Sequence, residues 1–209
     1  RIPAFPVVVV AEDIHAAIKA LLQCHGISGM RPNIVLMGWS QDPTKAHMYA
    51  ETLHTVKRLR RSLVVLSCEQ IQERTEIPEG AIHVWWTDDG NAPLMLLLAY
   101  LLHKNPEWRD HPLRILRPVA PDVDPLASEA EMRELLALAR IEAEVLVMPT
   151  EQPREAIRQA MQPSAVLFAG FDPAALGTAG EGLAELQRTV ELPGDVVLVY
   201  NAGDVSTQA

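Results

Sequence analysis

Short apolar runs alternate with helical patterns along the whole chain, and this alternation limits the possible folds more than any other feature. Eight runs rich in Val, Ile and Leu are separated by stretches with helical periodicity; they lie at residues 6–11, 33–39, 62–67, 81–86, 113–118, 145–148, 165–170 and 196–199. Continuous apolar runs are typical of strands covered on both faces. The order predicts an α/β fold, a mostly parallel sheet with helices on both faces and right-handed crossovers.

The segment of residues 69–80 is polar, contains Pro78 and Gly80, and is predicted to separate two lobes. We therefore expect a first α/β lobe over residues 1–79 and a second over residues 80–209. No exact internal repeat is visible, so a duplication of one lobe is only a hypothesis. Asp13 is predicted to cap the first helix, and Pro93 fits the first turn of the helix that follows residue 91.

Composition excludes several classes of protein. The net charge is −9, whereas a nucleic-acid-binding surface needs basic residues. The most apolar stretch, residues 92–102, is too short for the roughly 20 residues of a membrane-spanning helix. Cys24 and Cys68 both have apolar neighbours, which predicts buried thiols in a reducing compartment. The chain begins without methionine close to its first predicted strand, so we expect it to be part of a longer protein.

Two Gly-x-x-Gly pairs were considered as phosphate sites: Gly26 with Gly29, and Gly177 with Gly180. Neither has the spacing that lets backbone N–H groups surround a phosphate. Gly26 follows a helix, which favours a helix C-terminus and turn. The second pair follows a predicted strand but has no basic residue beside it. A phosphate site is therefore not predicted.

Ser40 lies between a predicted strand and a predicted helix, where the nucleophile of an α/β hydrolase would lie. The pattern G-x-S-x-G fails, however, because Asp42 occupies the position of its last glycine. An ordinary loop hydroxyl is the better interpretation of Ser40.

Metal-binding patterns are weak. His47 and His54 are two turns apart on one predicted helix, but metal-binding helices usually place their ligands at i and i+4. Asp88 and Asp89 could ligate Mg²⁺, yet they precede a helix whose free N–H groups favour anions in any case. No catalytic residue, cofactor or metal ligand is predicted.

One basic cluster stands out, and it consists of Lys57, Arg58, Arg60 and Arg61. Its structural interpretation is that cations at a helix C-terminus complement the helix dipole. Its functional interpretation is contact with an acidic neighbour or an anionic membrane surface.

Three segments of the chain carry a family resemblance. Residues 32–39 read Pro-Asn, an apolar strand and Gly-Trp, after the glycines at 26 and 29. Residues 84–90 read VWWTDDG and lead into Leu97, Tyr100, Leu101, Leu102, Trp108 and Arg114. Residues 192–201 read LPGDVVLVYN. In sequence and order these segments resemble the carboxyl-terminal region of the cation-chloride cotransporters, membrane carriers of the amino acid–polyamine–cation superfamily.

The resemblance implies a cytosolic region with two lobes similar to the universal stress protein fold. It implies dimerisation and regulation as the function, and the protein's own transmembrane domain as a partner at the cytoplasmic face of the cell membrane. The family moves chloride with sodium, potassium or both, but the ions would pass through transmembrane helices outside these residues. The resemblance thus implies a non-catalytic domain.

The sequence departs from the family pattern at two points. Asn91 replaces the second glycine of the family's DDGG motif, and Thr87 joins Trp86 to Asp88 more directly than usual. The long phosphorylated insertions of animal members are absent, which indicates a microbial relative with different regulation. Trp85, Trp86 and Trp108 are candidate interface residues, although alternation along a strand directs Trp85 and Trp86 to opposite faces.

An alternative hypothesis is a free-standing nucleotide-binding protein of the universal stress type. That family's motif is G-x-x-G, nine residues, then G-[ST]. Counted from Gly180, the second glycine position holds Val190; counted from Gly29, it holds Trp39. We therefore predict that the chain does not bind ATP.

Overall fold

A computed structural model describes residues 6–24, 32–40, 42–68, 76–177 and 181–203. The helices are α1 Ile14–Cys24, α2 Ala46–Arg58, α3 Ala92–His103, α4 Pro125–Ala139, α5 Pro153–Ala160 and α6 Glu181–Val190. The strands are β1 Ile34–Gly38, β2 Ser62–Ser67, β3 Ala81–Trp85, β4 Leu113–Val119, β5 Glu144–Pro149, β6 Ser164–Gly170 and β7 Asp195–Tyr200. Short 3₁₀ helices cover Pro43–Lys45, Pro106–Trp108 and Pro173–Leu176.

The seven strands form one sheet in the order β1-β2-β7-β6-β3-β4-β5. All neighbouring strands are parallel except β2 and β7, which pair antiparallel with Leu63 opposite Tyr200. The predicted mostly parallel α/β sheet is thus confirmed. The expected lobe boundary after Glu79 stays a prediction, but strands from both sides of it are joined in this sheet through β2 and β7.

Helices pack on both faces of the sheet, so each central strand is covered on its two sides. On one face, α1, α2, α5 and α6 cover a core that includes Leu53, Val65, Ile157, Leu186 and Leu198. On the other face, α3 and α4 cover a second core, whose members include Val84, Leu94, Met95, Met132 and Phe168. This burial on both faces explains why β6 and β7 are continuous apolar runs, and why β3 is apolar on both sides of His83.

Local sequence signals set the helix ends. Asp13 accepts a 3.0 Å hydrogen bond from the N–H of His15, as expected of an N-cap. Asp124 caps α4 by accepting from the N–H of Leu126 at 2.9 Å, and Pro93 lies in the first turn of α3. Among the described helices, none combines the length and apolarity that crossing a membrane requires.

Four expectations were wrong in detail. Residues 6–10 are exposed and belong to no strand, because no described strand lies beside them to accept their hydrogen bonds. The strand β1 is in the sheet but is only half-buried, since it lies at the edge. Cys24 is exposed at the end of α1. Leu138, which the apolar pattern of residues 128–140 predicts to face the core, faces solvent on α4.

Candidate functional site

The fold places one crevice where open α/β sheets bind their ligands. The helix that follows β3 packs on one face of the sheet and the helix that follows β6 packs on the other, so the chain diverges between these adjacent strands. We call the space at the carboxyl ends of these two strands the β3–β6 crevice. It holds a cavity of about 300 Å³ whose lining includes Trp85, Thr87, Asp89, Arg154 and Asp172.

Asn91 closes one side of the β3–β6 crevice with buried hydrogen bonds. Its Oδ1 accepts from the backbone N–H of Asn201 at 2.8 Å, and its Nδ2 donates to Phe171 O at 3.2 Å. Its own N–H donates to Asp89 Oδ1 at 2.9 Å, while Asn201 Nδ2 donates to Gly90 O at 2.8 Å. The residue that departs from the family motif therefore ties together the ends of β3, β6 and β7.

Charged groups in the crevice are engaged with one another. Lys57 Nζ lies 2.5 Å from Asp172 Oδ1, which also accepts from the N–H of Ala174 at 2.9 Å. Although partial burial opposes ionisation, these two hydrogen bonds lower the pKa of Asp172. Arg154 forms an ion pair with Glu185, and that hydrogen bond lowers the pKa of Glu185. These two ion pairs stabilise the crevice, and a further carboxylate in its lining, Asp89, accepts hydrogen bonds from the N–H and Nδ2 of Asn91.

Arg117 organises a second polar cluster, at the end of β4. Its guanidinium is buried, donating to Asp88 at 3.2 Å, to Glu131 at 2.9 Å and to the carbonyl of Ser128 at 3.1 Å. Asp88 also accepts from Trp86 Nε1 at 3.1 Å. Asp88, which the sequence offered only as a weak magnesium ligand, thus links the loop after β3 to Arg117 on β4, and Arg117 in turn contacts α4.

His83, which belongs to no motif identified in the sequence, lies in the middle of β3 and is fully buried. Its Nδ1 is 3.0 Å from Ser164 Oγ on the neighbouring strand. Burial, assisted by the charge of Arg114, lowers the pKa of His83 to about 4, so the ring is neutral in the fold. A histidine inside an otherwise apolar strand pattern was the sequence signal for such a buried ring.

Ser40 is half-buried beyond the end of β1, beside a cavity of about 530 Å³. No histidine is among the described residues that line this cavity. Asp42 accepts hydrogen bonds from both the N–H and the Oγ1 of Thr44, so it caps the following 3₁₀ helix. The carboxylate that lines this cavity beside Ser40 is thus engaged in capping, and the histidine that usually activates a serine nucleophile is not among the described lining residues.

The other candidate ligands lie apart. His54 Nε2 is 3.4 Å from Gly177 O, and His47 is exposed. Within the described ranges, no group of three His, Cys, Asp or Glu side chains could hold a metal ion. Residues 26–29 and 178–180, which contain most of both Gly-x-x-Gly pairs, lie outside the described residues.

The four residues of the basic cluster have different surroundings in the structure. Lys57 pairs with Asp172 and lies 5.5 Å from the centre of the Tyr200 ring, and Arg61 is buried. Arg58 and Arg60 are exposed at the end of α2. Lys57 and Arg58 belong to the last turn of that helix, as the dipole interpretation expects.

The tryptophans pack into the molecule. Trp86 is buried in the core under α3, whereas Trp85 is partly buried in the core on the opposite face. The prediction that these neighbours point to opposite faces is confirmed. Trp108 is half-buried and packs against the same core as Trp86.

The arrangement defines an α/β fold of the universal stress protein type, with polar contacts within the chain at the border of its crevice. A solved universal stress protein from Archaeoglobus fulgidus is similar over 82% of this chain and 62% of its own, with a TM-score of 0.55 and 16% identity. The solved cytoplasmic domain of a prokaryotic cation chloride cotransporter is similar over 94% of this chain and 72% of its own, with a TM-score of 0.68 and 19% identity. The resemblance to the universal stress protein fold, which was predicted from the sequence, is confirmed.

The family is established by sequence. The model of solute carrier family 12 matches residues 1–70 and 67–169. Potassium/chloride cotransporter 3 from Caenorhabditis elegans is 30% identical over 144 residues, which make up 66% of this chain. The chain belongs to solute carrier family 12, and it spans 13% of the length of that relative.

Proposed function

We propose that this chain is a cytosolic, non-catalytic domain of a cation-chloride cotransporter, and that it regulates and dimerises the carrier. Membership of solute carrier family 12 supports a role in ion transport. The similar solved domain is described as cytoplasmic, which supports the same location here. Chloride and its accompanying sodium or potassium would pass through a transmembrane domain, which is the expected covalent partner.

The proposed dimerisation is supported by the outer face of α3, which is apolar and exposed. Nearly every residue of this helix is apolar, and a helix that is apolar all round is normally buried on all sides. Leu97 and Leu101 are nevertheless exposed, one turn apart on the side away from the sheet. Exposed leucines at this spacing are typical of helices that pack against a partner. We infer that the α3 face, defined by these two residues, is the dimer contact, in a twofold-symmetric pair.

Sedimentation velocity over a concentration series tests this proposal. The chain should form dimers, and the double variant Leu97→Lys with Leu101→Lys should weaken the dimer at least about tenfold, because it places charges in an apolar contact. Leu138→Lys is the matched control, since Leu138 is also an exposed leucine on a helix, α4. A chain that stays monomeric at high concentration, or a dimer indifferent to the α3 changes, would contradict the proposed contact.

The same proposal includes contact with the anionic membrane surface. Arg58 and Arg60 would carry it, because they are the exposed members of the basic cluster. Each basic residue near such a surface contributes on the order of 1 kcal/mol. Flotation with vesicles containing phosphatidylserine should detect the contact, and Arg58→Ser with Arg60→Ser should abolish it. Neutral vesicles are the control.

A further inference from the structure

The sheet has an internal twofold relationship centred between β2 and β7. These strands are antiparallel, with Leu63 opposite Tyr200 and Ser67 opposite Val196. On their outer sides, β1 is parallel to β2 and β6 is parallel to β7. A half-turn about an axis through the sheet therefore exchanges β2 with β7 and β1 with β6.

The registers and sequences of the two halves agree with this exchange. Ile34 lies opposite Ser62 and Val166 lies opposite Asp195, so Gly38 corresponds to Gly170 at the end of its strand. An aromatic residue follows each glycine, and an Asp-Pro pair begins a 3₁₀ helix shortly afterwards. In both halves the Asp caps the N–H two residues later, at 3.0 Å from Thr44 and 2.9 Å from Ala174. The structure thus shows the duplicated unit that the sequence only suggested.

Corresponding positions differ sharply in burial. Val166 and Phe168 on β6 are 3% and 4% exposed, whereas Ile34 and Leu36 on β1 are 36% and 68% exposed. On the other side of β6 lies β3, and α3 packs over both strands. On the other side of β1 there is no described strand. The first half therefore has an apolar surface where the second half has a core.

The backbone of β1 is also open on this side. Trp39 N donates to Leu66 O at 2.7 Å, and Ser62 N donates to Asn33 O at 2.8 Å. Because alternate residues of a parallel strand face the same neighbour, the N–H and C=O groups of Ile34 and Leu36 point away from β2. Their counterparts on β6 lie opposite Ile82 and Val84 of β3.

We propose that the open edge of β1 and its apolar face bind a strand–helix–strand segment of the same polypeptide that precedes residue 1. This segment is the counterpart of β3, α3 and β4. Its place in the chain follows from the order of the duplicated unit. In the second half, β3, α3 and β4 precede β5, α5 and β6; in the first half, residues 7–10 and α1 precede β1 in the positions of β5 and α5.

Further observations support this occupant. The helices α1 and α5 pack on the same core, through Leu22 and Ile157. Residues 7–10 are four exposed valines, which would form the strand at the far side of the added segment, as β5 does beside β4. The similar solved cytoplasmic domain is matched over only 72% of its chain, so a related domain contains additional residues.

The helix of the same segment would also lie beside an apolar groove. Leu66 on β2 is half-buried, whereas its counterpart Val199 is fully buried beneath α3. Beside Leu66 the surface forms a groove of about 730 Å³, which Leu102 and Trp108 also line. The counterpart of α3 would lie over β1 and β2 and border this groove. A strand pair alone would leave these residues exposed, so the proposal specifies the helix as well.

Hydrogen exchange measured by mass spectrometry tests the proposal. The chain of 209 residues is compared with a chain extended upstream in its own reading frame by a segment as long as that from Ala81 to Ala143, which ends before β5 because residues 7–10 are the counterpart of β5. In the extended chain, peptides that cover β1 and residues 7–10 should exchange at least about tenfold more slowly. Leu36→Lys should lower the thermal midpoint of the extended chain by about 2–4 °C and hardly affect the shorter one. Leu138→Lys should affect both chains equally.

Unchanged exchange at β1 in the extended chain would overturn the proposal, as would an equal effect of Leu36→Lys on both chains. Protection of β1 that appears in the 209-residue chain only at high concentration would also overturn it, because a second copy would then occupy the edge. A reading frame that encodes no such segment would do the same. These outcomes are independent of the dimer contact on α3, which has its own variants.

Discussion

Asn91 and Asn201, which lie 110 residues apart, are joined by a buried 2.8 Å hydrogen bond from the backbone N–H of Asn201 to Oδ1 of Asn91. The same side chain donates to Phe171 O, so the loops after β3 and β6 and the end of β7 share one polar centre. In the family motif that this chain resembles, the position holds glycine. The asparagine therefore stabilises a junction that glycine would leave to other groups.

Replacing Asn91 by glycine should destabilise the fold by roughly 2–4 kcal/mol. The change leaves the N–H of Asn201 and the carbonyl of Phe171 buried without this partner, and each such loss costs about 1–3 kcal/mol. Urea unfolding measures the effect. Asn105→Gly is the control, because Asn105 caps a short helix at the surface and glycine is tolerated there. Equal losses in the two variants would contradict the importance of the junction.

The buried ring of His83 should make stability depend on pH. Its pKa is lowered from 6.5 to about 4 in the fold, so the unfolded chain binds a proton that the folded chain does not. The stabilisation is complete above pH 6.5 and falls by roughly 3 kcal/mol as the pH drops from 6.5 to 4. Unfolding at several pH values, with His83→Leu for comparison, isolates this contribution. A variant with the same slope over that range would show that His83 is not responsible.

The Arg117 cluster should respond asymmetrically to mutation. Its carboxylate partners Asp88 and Glu131 are largely exposed, so Arg117→Met lets them return to water at a cost of about 1–2 kcal/mol. Asp88→Asn combined with Glu131→Gln leaves a buried cation without counter-charges, and the cost should reach about 3–5 kcal/mol. Thermal unfolding of both variants decides the order. A larger loss for Arg117→Met would refute this account.

Gly182 should be intolerant of a side chain, although it lies in a helix. A Cβ there would be 2.4 Å from both Ala175 O and Leu176 Cα. Alanine normally stabilises a helix relative to glycine by up to about 1 kcal/mol. Here Gly182→Ala should instead destabilise the chain by about 1–3 kcal/mol, because backbone must shift. At Gly90 a Cβ meets nothing within 4 Å, so Gly90→Ala is the control.

We expect no micromolar affinity for ATP. The glycine motif of nucleotide-binding stress proteins is absent from the sequence, and Arg154, the cation in the described lining of the β3–β6 crevice, is already paired with Glu185. Isothermal titration calorimetry with magnesium-ATP checks this expectation. Measured micromolar binding would favour the alternative of a nucleotide-binding protein, and Arg154→Ala would then show whether the crevice is the site.

The sequence by itself determined the order of the helices and strands after residue 11, the mostly parallel sheet and the family resemblance. These properties are local or arise from burial on both faces, which leaves continuous apolar runs such as those of β6 and β7. The cap at Asp13 and the opposite faces of Trp85 and Trp86 were readable for the same reason, since both depend on neighbours along the chain.

Only the tertiary structure decided which polar groups meet. Asn91 and Asn201 are brought together by the order of the strands in the sheet, and no local pattern encodes a contact across 110 residues. The antiparallel pairing of β2 with β7 made the duplicated unit visible, although its sequence similarity is slight. The exposure of residues 7–10 likewise depends on which strands lie beside them. An apolar run shows that a segment favours a sheet, but the position of its neighbours determines whether it is buried.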